Sequence, residues 1–369
     1  MRRPADRLAL ITGGAGFVAT NVADRLLQDG WRVRLFDNLS RAGVEQNLEW
    51  LQHVHGDRVE FVYGDIRDAD AVHGAVRHVR RAFHFAAQVA VTTSLTDPID
   101  DFEINARGTL NLLEAIRGVD EPSRPTLLFT STNKVYGHLD DLPLERRGRR
   151  YEPRDPHLAS HGVSERRCLD FHSPYGCSKG AAEQYVLDYA RTYGLPATVF
   201  RMSCIYGPHQ FGTEDQGWVA HFLIQAMRGR PVTIYGDGLQ VRDILFVEDL
   251  ADAMLLAHDA MDEISGQAFN VGGGPANTIS LLELIDLIGD LLGERPVHAF
   301  EPWRTADQRY YVSDTSKLQA ATGWAPRVRV REGIERLAAW LADARRTAER
   351  SAVPSSRAAG RPSRTKVAS

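Results

Sequence analysis

A tyrosine and a lysine four residues apart, in Tyr175-Gly-Cys-Ser-Lys179, are the pair in this chain best suited to proton chemistry. On a helix that spacing is one turn, so both side chains project from one face. Free phenol titrates at about 10, and a fixed cation beside it favours the phenolate. A phenol drawn toward neutrality can act as general base for an alcohol. The same spacing also arises by chance on helix surfaces. The elements that would position the pair therefore carry the argument.

The first of these lies at the N-terminus. Leu8-Ala9-Leu10-Ile11 is a short apolar run, expected as a buried parallel strand. Thr12-Gly13-Gly14-Ala15-Gly16-Phe17-Val18-Ala19 follows, and a helical pattern (Val22, Ala23, Leu26, Leu27) closes at Gly30. Strand, glycine turn and helix make a cradle for an anionic pyrophosphate, because glycine lets the backbone approach and the helix N-terminus offers unpaired N–H groups. The next apolar run, Val33 to Phe36, ends in Asp37, where a carboxylate can accept hydrogen bonds from an adenosine ribose. Asp37 would repel a 2′-phosphate, which favours NAD, while Arg41 nearby is the one residue suited to NADP.

Strands then alternate with helical patterns: Val59–Tyr63 before Gly64-Asp65-Ile66, Arg81–Phe85 before Ala86-Ala87-Gln88, Thr126–Phe129 before Thr130-Ser131-Thr132, Ala197–Phe200 before Arg201. Such alternation predicts an α/β fold with a doubly wound parallel sheet, whose ligands gather at the carboxyl ends of the strands. Asp65 could reach the adenine amine there or simply cap a helix.

Composition narrows the class. The 369 residues can bury a large core, 25% of them are charged, and the net charge of -4 gives no overall basic field for nucleic acid. Cys168, Cys177 and Cys204 are odd in number and unpatterned, as in a reducing compartment. No apolar run reaches the ~18 residues of a membrane span. The arginines before Leu8 mimic a secretion signal only faintly, so a cytoplasmic enzyme is expected. His53-Val54-His55 lacks further ligands at suitable spacing, and no metal site is expected.

Motifs in family order make the chain resemble the extended short-chain dehydrogenase/reductases, the NAD-dependent nucleotide-sugar epimerases and dehydratases. They are Thr12-Gly13-Gly14-Ala15-Gly16-Phe17, Asp37-Asn38-Leu39-Ser40, Gly64-Asp65-Ile66-Arg67-Asp68, His84-Phe85-Ala86-Ala87, Val135-Tyr136-Gly137, Tyr175-x-x-x-Lys179, Tyr206-Gly207-Pro208, Arg242-Asp243-Ile244 and Arg304-x-x-Asp307. The resemblance implies Tyr175 as base, Lys179 on the nicotinamide ribose and Thr132 as hydroxyl partner, with Ser131 competing. It implies NAD contacts from Gly13, Gly16, Phe17, Val18, Asp37, Asn38, Ser40, Arg41, Asp65, Ile66, Ala86, Ala87, Gln88, Asn105 and Met202, besides Tyr175 and Lys179. Ala19 stands where the family usually carries a third glycine, a change of one methyl group.

For a nucleotide-diphosphate sugar, Arg201, Arg242 and Arg304 are candidates to clamp phosphate. Asp307 could meet a ribose hydroxyl, and Thr93, Ser94, Thr132, Asn133, Ser203, Gln216, Trp218 and Val219 are candidates for the sugar. The stretches Ser131–Gly137, Phe171–Gly180 and Gln210–Val219 resemble the subgroup of 2-epimerases that act on CDP-paratose and CDP-tyvelose. Ser203 and Cys204 stand where many 4-epimerases keep an asparagine, and Asn133-Lys134 where a dehydratase commonly has Asp-Glu. The resemblance thus implies inversion through transient oxidation to a keto-sugar. A 4-epimerase, another nucleotide-sugar dehydrogenase or dehydratase, and a catalytically idle NAD-binding sensor are the alternatives.

Residues 1–200 are expected to form the cofactor domain, with 241–274 returning to it. Segments 201–240 and 275–345 would build a substrate lobe, and 346–369, rich in Ser, Arg, Ala and Pro, a disordered tail. The charged insert 138–170 reads as a surface excursion over the pocket. Family members commonly pair through two helices, here 107–117 and 175–192, so a homodimer is expected.

Overall fold

The computed structural model describes residues 7–352 of the chain. Its strands among these are β1 (Leu8–Thr12), β2 (Arg32–Asp37), β3 (Val59–Tyr63), β4 (Arg81–His84), β5 (Thr126–Thr132), β6 (Leu144–Arg147), β7 (Arg150–Pro153), β8 (Ala197–Met202), β9 (Cys204–Tyr206), β10 (Val232–Tyr235), β11 (Val241–Phe246), β12 (Ala268–Val271), β13 (Thr278–Ser280), β14 (His298–Glu301) and β15 (Tyr310–Tyr311). Seven of them form one parallel sheet in the order β12-β8-β5-β4-β1-β2-β3.

Successive side chains of a strand point to opposite faces. In β1, Ala9 and Ile11 pack with Val22 and Leu26 of the helix Phe17–Gln28, whereas Leu8 and Leu10 pack with Leu112, Ile116 and Val186 on the other side. Burial on both faces is why the strand reads as an unbroken apolar run. Strand order reverses between β1 and β4, and the glycine turn leaves β1 at that point. Such a reversal opens a crevice at the strands' carboxyl ends. Ala19 is buried against this sheet and its extra methyl is accommodated.

The helix Ser173–Tyr193 lies on the face carrying Leu112 and Val186. Pro174 opens it, where a missing N–H costs nothing, and Gly194 ends it in the left-handed region at φ 64°. Its first two turns carry Tyr175 and Lys179 to the carboxyl ends of β5 and β8.

Only part of segment 241–274 joins the main sheet. β12 is its edge strand, and the helix Val247–Asp259 packs with the core beneath Phe17–Gln28. β11 instead centres a separate small sheet with β9, β13 and β15. A further apolar cluster, with Val219, Phe222, Ile244, Ile285 and Leu337, sits around that sheet. The insert 138–170 does not cover the crevice. It forms the β6–β7 hairpin, docked by Tyr151 N–H on the Leu239 carbonyl and by Arg150 on Thr278 and Glu283, then the short helix Pro156–His161. The helix Val330–Ala352 runs into the segment expected to lack structure, and residues 353–369 lie outside the described ones.

Candidate active site

Tyr175 and Lys179 lie on one face of their helix and are both buried. The Thr132 hydroxyl, at the end of β5, lies beside the Tyr175 phenol and favours its phenolate. Ser131, the competing hydroxyl, donates instead to Glu183 at 2.7 Å and is committed there. The lysine does not set the phenol's acidity as its spacing predicts. Burial pushes Tyr175 up to about 12, against the influence of the Thr132 hydroxyl. Burial likewise pushes Lys179 down to about 7, opposed by the carboxylates of Asp101 and Glu183. The ammonium sits over the Phe129 ring, 4.3 Å from its centroid. Desolvation sets the direction for both groups.

On one side of this pair a cavity of about 270 Å³ follows the carboxyl ends of β1 and β2. Gly13, at φ 67°, approaches so closely that an added Cβ would lie 2.7 Å from the Ala86 nitrogen. No side chain caps the helix Phe17–Gln28, which leaves its N-terminal N–H groups to a ligand. Asp37 accepts from the N–H groups of Ala15 at 3.0 Å and Leu39 at 2.7 Å, fixing the carboxylate beside the turn. Asp65 accepts from Asn38 at 2.9 Å, and its hydrogen bonds to Arg67 hold it well below the usual carboxylate range. Glycine turn, open helix end, ribose-type carboxylate and the buried Lys179 line one elongated cavity. That set fits a dinucleotide. Gly16, Phe17, Val18, Asn38, Ser40, Arg41, Ile66, Ala86, Ala87 and Met202 also line it.

On the other side lies a second cavity of about 480 Å³, which shares Tyr175, Met202 and Gln216 with the first. Thr132, Asn133, Ser203, Gln216, Trp218, Val219, Arg242, Arg304 and Asp307 line it. Its charges are already paired. Arg242 donates to Asp307 at 2.7 Å, and Lys134 lies 3.8 Å from the same carboxylate. Burial alone would raise Asp307, but these two cations hold it low. Arg304 stacks 3.9 Å from the Tyr235 centroid and donates to the Glu214 carbonyl at 3.0 Å. The Trp218 indole N–H points to the Cys204 sulfur at 3.4 Å.

Comparison with known proteins accords with this site. The family model described as "NAD dependent epimerase/dehydratase family" matches residues 9–272. The chain belongs to this family. It is an NAD-dependent member of the epimerase/dehydratase group. A CDP-paratose 2-epimerase of Salmonella typhi is 44% identical over 338 residues, 90% of this chain and 98% of that one. A putative UDP-glucose 4-epimerase of Methanocaldococcus jannaschii is 31% identical, covering 92% and 100%. The crystal structure of Thermus thermophilus UDP-glucose 4-epimerase in complex with NAD superposes with a TM-score of 0.76 at 32% identity, over 91% of this chain and 99% of that one.

Five expected ligand residues fall outside the cleft of this family member. Arg201 is buried, bound to Glu183 at 2.5 Å and the Tyr136 hydroxyl at 2.9 Å, so its guanidinium has no free face for phosphate. Ser94 is fully buried and accepts from the Tyr175 backbone N–H at 3.1 Å. Thr93 points to solvent, and Thr92 lines the sugar-side cavity in its place. Asn105 spends its amide on Gln88, Asp101 and Ser178, and Gln88 folds its own amide onto the Ala90 carbonyl. The sequence singled out none of Asn47 and His209 on the cofactor side or Tyr235 and Gln240 on the other, and Gln210, Phe211 and Lys134 stood only within motif stretches without a role in binding. The first group includes residues just after Tyr206-Gly207-Pro208, and Lys134 follows Asn133, so proximity to a motif was the only signal. Among the described residues no group of three or more side chains could hold a metal, and no helix is long and apolar enough to cross a membrane.

Proposed function

We propose that this chain is an NAD-dependent epimerase of a nucleotide-diphosphate hexose, acting on a CDP-linked sugar as a 2-epimerase. The observation that carries the proposal is the placement of Tyr175 and Thr132 at the seam between a cavity with the glycine turn and Asp37 and one lined by paired cations and carboxylates. When bound, NAD supplies a positively charged ring, which favours the phenolate, and a carbon that takes and returns a hydride. Tyr175 removes the sugar hydroxyl proton and later gives it back. Thr132 donates to the oxygen as its charge develops, and Lys179 binds the nicotinamide ribose. The Gly13–Gly16 turn holds the pyrophosphate and Asp37 the adenosine ribose. Arg242 and Arg304 clamp the substrate diphosphate, while Gln216 and Trp218 line the hexose. Rotation of the keto-sugar within the cavity would present its other face to the cofactor, so that the carbon is inverted without net redox change.

The CDP-paratose 2-epimerase relative supports the choice of subgroup. So does the pair Asn133-Lys134, both lining the cavity where a dehydratase would need an added acid and base. Incubation with CDP-, UDP-, dTDP- and GDP-hexoses, followed by NMR of the products, tests this. The expected result is a C2 epimer from CDP-sugars alone; a C4 epimer would sink the 2-epimerase reading.

We also place the enzyme in the cytoplasm, consistent with its three free cysteines, and propose a homodimer. Leu95, Ile99, Phe102 and Tyr185 are exposed apolar side chains on and beside the helices expected to pair. Light scattering of wild type and Phe102→Glu should give a dimer and a monomer.

A further inference from the structure

Asp101 is a carboxylate that the proposed chemistry does not use, yet it is 1% exposed and closes the short helix Pro98–Phe102. Burying a carboxylate is costly unless hydrogen bonds and charge answer it. Its hydrogen-bond partners are neutral: the Ser178 hydroxyl at 2.5 Å and the Asn105 amide at 3.1 Å. Ser178 sits between Tyr175 and Lys179 on the catalytic helix. Asn105 belongs to a π-helical turn, Glu103–Arg107, that interrupts the helix; such turns recur at functional sites. From there it also binds the Gln88 N–H at 2.9 Å and carbonyl at 3.0 Å, in the loop leaving β4. One buried network therefore joins the catalytic helix to a loop that borders the cofactor cavity.

We propose that Asp101 is a positioning residue of the reaction: through Ser178 it fixes the turn bearing Tyr175 and Lys179 and sets its carboxylate against that turn. The inference rests on the reading of Tyr175 and Lys179 as the proton-handling pair. The groups facing Lys179 support it. Burial drives this lysine downward, and Asp101 is the leading influence against it, ahead of Glu183. Glu183 is engaged by Arg201 and Ser131. His84, from β4, is held neutral by burial and by Lys179, down to about 3, with its ring nitrogens bonded to Thr12 and Thr109. Asp100 faces outward to Arg67 at 2.6 Å. Tyr175 faces the same carboxylate, which disfavours its phenolate.

The test is Asp101→Asn in the NAD-loaded protein. The chain has four lysines (Lys134, Lys179, Lys317, Lys366), so selective ¹³C labelling gives four side-chain signals, and Lys179→Arg assigns the relevant one. Removing the carboxylate should lower the Lys179 midpoint by about one pH unit or more and leave that of Lys317 in place. The alkaline limb of the kcat profile should move to lower pH, because the ammonium is lost sooner. The acid limb should move the same way, because the phenolate is no longer opposed. Ser178→Ala, which leaves the carboxylate in place with one bond fewer, should shift the lysine in the same direction by less. An unmoved Lys179 midpoint in both variants overturns the proposal, as does activity lost equally at every pH. A shifted midpoint in a protein that turns over no nucleotide sugar would instead overturn the assigned function and leave the charge coupling standing.

Discussion

The two halves of the cleft hold their ligands by different means. The cofactor half is made of backbone: a glycine turn, an uncapped helix end and small residues, with Asp37 fixed by main-chain N–H groups. The substrate half is made of long side chains. Lys134, Arg242 and Arg304 come from distant segments and face Asp307, Glu214 and Asp215. A backbone cradle is set by sterics and needs no partner to stay in shape. A cluster of cations needs its carboxylates until a diphosphate arrives, so binding there is an exchange of ion pairs and should weaken with salt.

Substitutions can separate the halves from each other and from the seam. The largest effect belongs to the seam: Tyr175→Phe should cut kcat by about 10²–10⁴-fold with NAD retention and KM little changed. Loss of bound cofactor with that change would show that Tyr175 belongs to the cradle. Next is Arg201→Met. It leaves Glu183 buried without its cation and should cost about 3–5 kcal/mol in urea unfolding. A raised KM with normal stability would return Arg201 to the phosphate clamp. Gly13→Ala adds a Cβ at positive φ and against Ala86, a strain of about 1–3 kcal/mol that should appear as faster NAD loss with the sugar KM unchanged. The smallest effect is expected from Arg304→Gln. That side chain is partly exposed, so the sugar KM should rise about tenfold or less while NAD retention stays the same.

The same contrast explains which parts were readable in advance. The centre of the cofactor half is contiguous in sequence, since turn, helix and Asp37 occupy fewer than thirty residues, and all but two of the residues expected to touch NAD line the cavity. Those exceptions, Gln88 and Asn105, bind each other, a pairing no local pattern reveals. Arg201 failed for a related reason. An arginine at a strand's carboxyl end suits phosphate, but Glu183 reaches it from the third turn of the catalytic helix. β11 likewise reads as another strand of the main sheet, and only its pairing with β9, β13 and β15 places it elsewhere.

The sequence by itself determined the chemistry on offer: a tyrosine and lysine one turn apart, a hydroxyl at a strand end, a glycine cradle and an acid after the second strand. These depend on local periodicity and on backbone freedom, both written in neighbouring residues. The tertiary structure decided which charges are free to act. Burial moves Tyr175 and Lys179 apart in acidity, Glu183 withdraws Arg201 and Ser131, and Asp101 meets the catalytic helix from a segment some seventy residues away. Desolvation and long-range pairing depend on what the fold brings together, and no spacing along the chain encodes them.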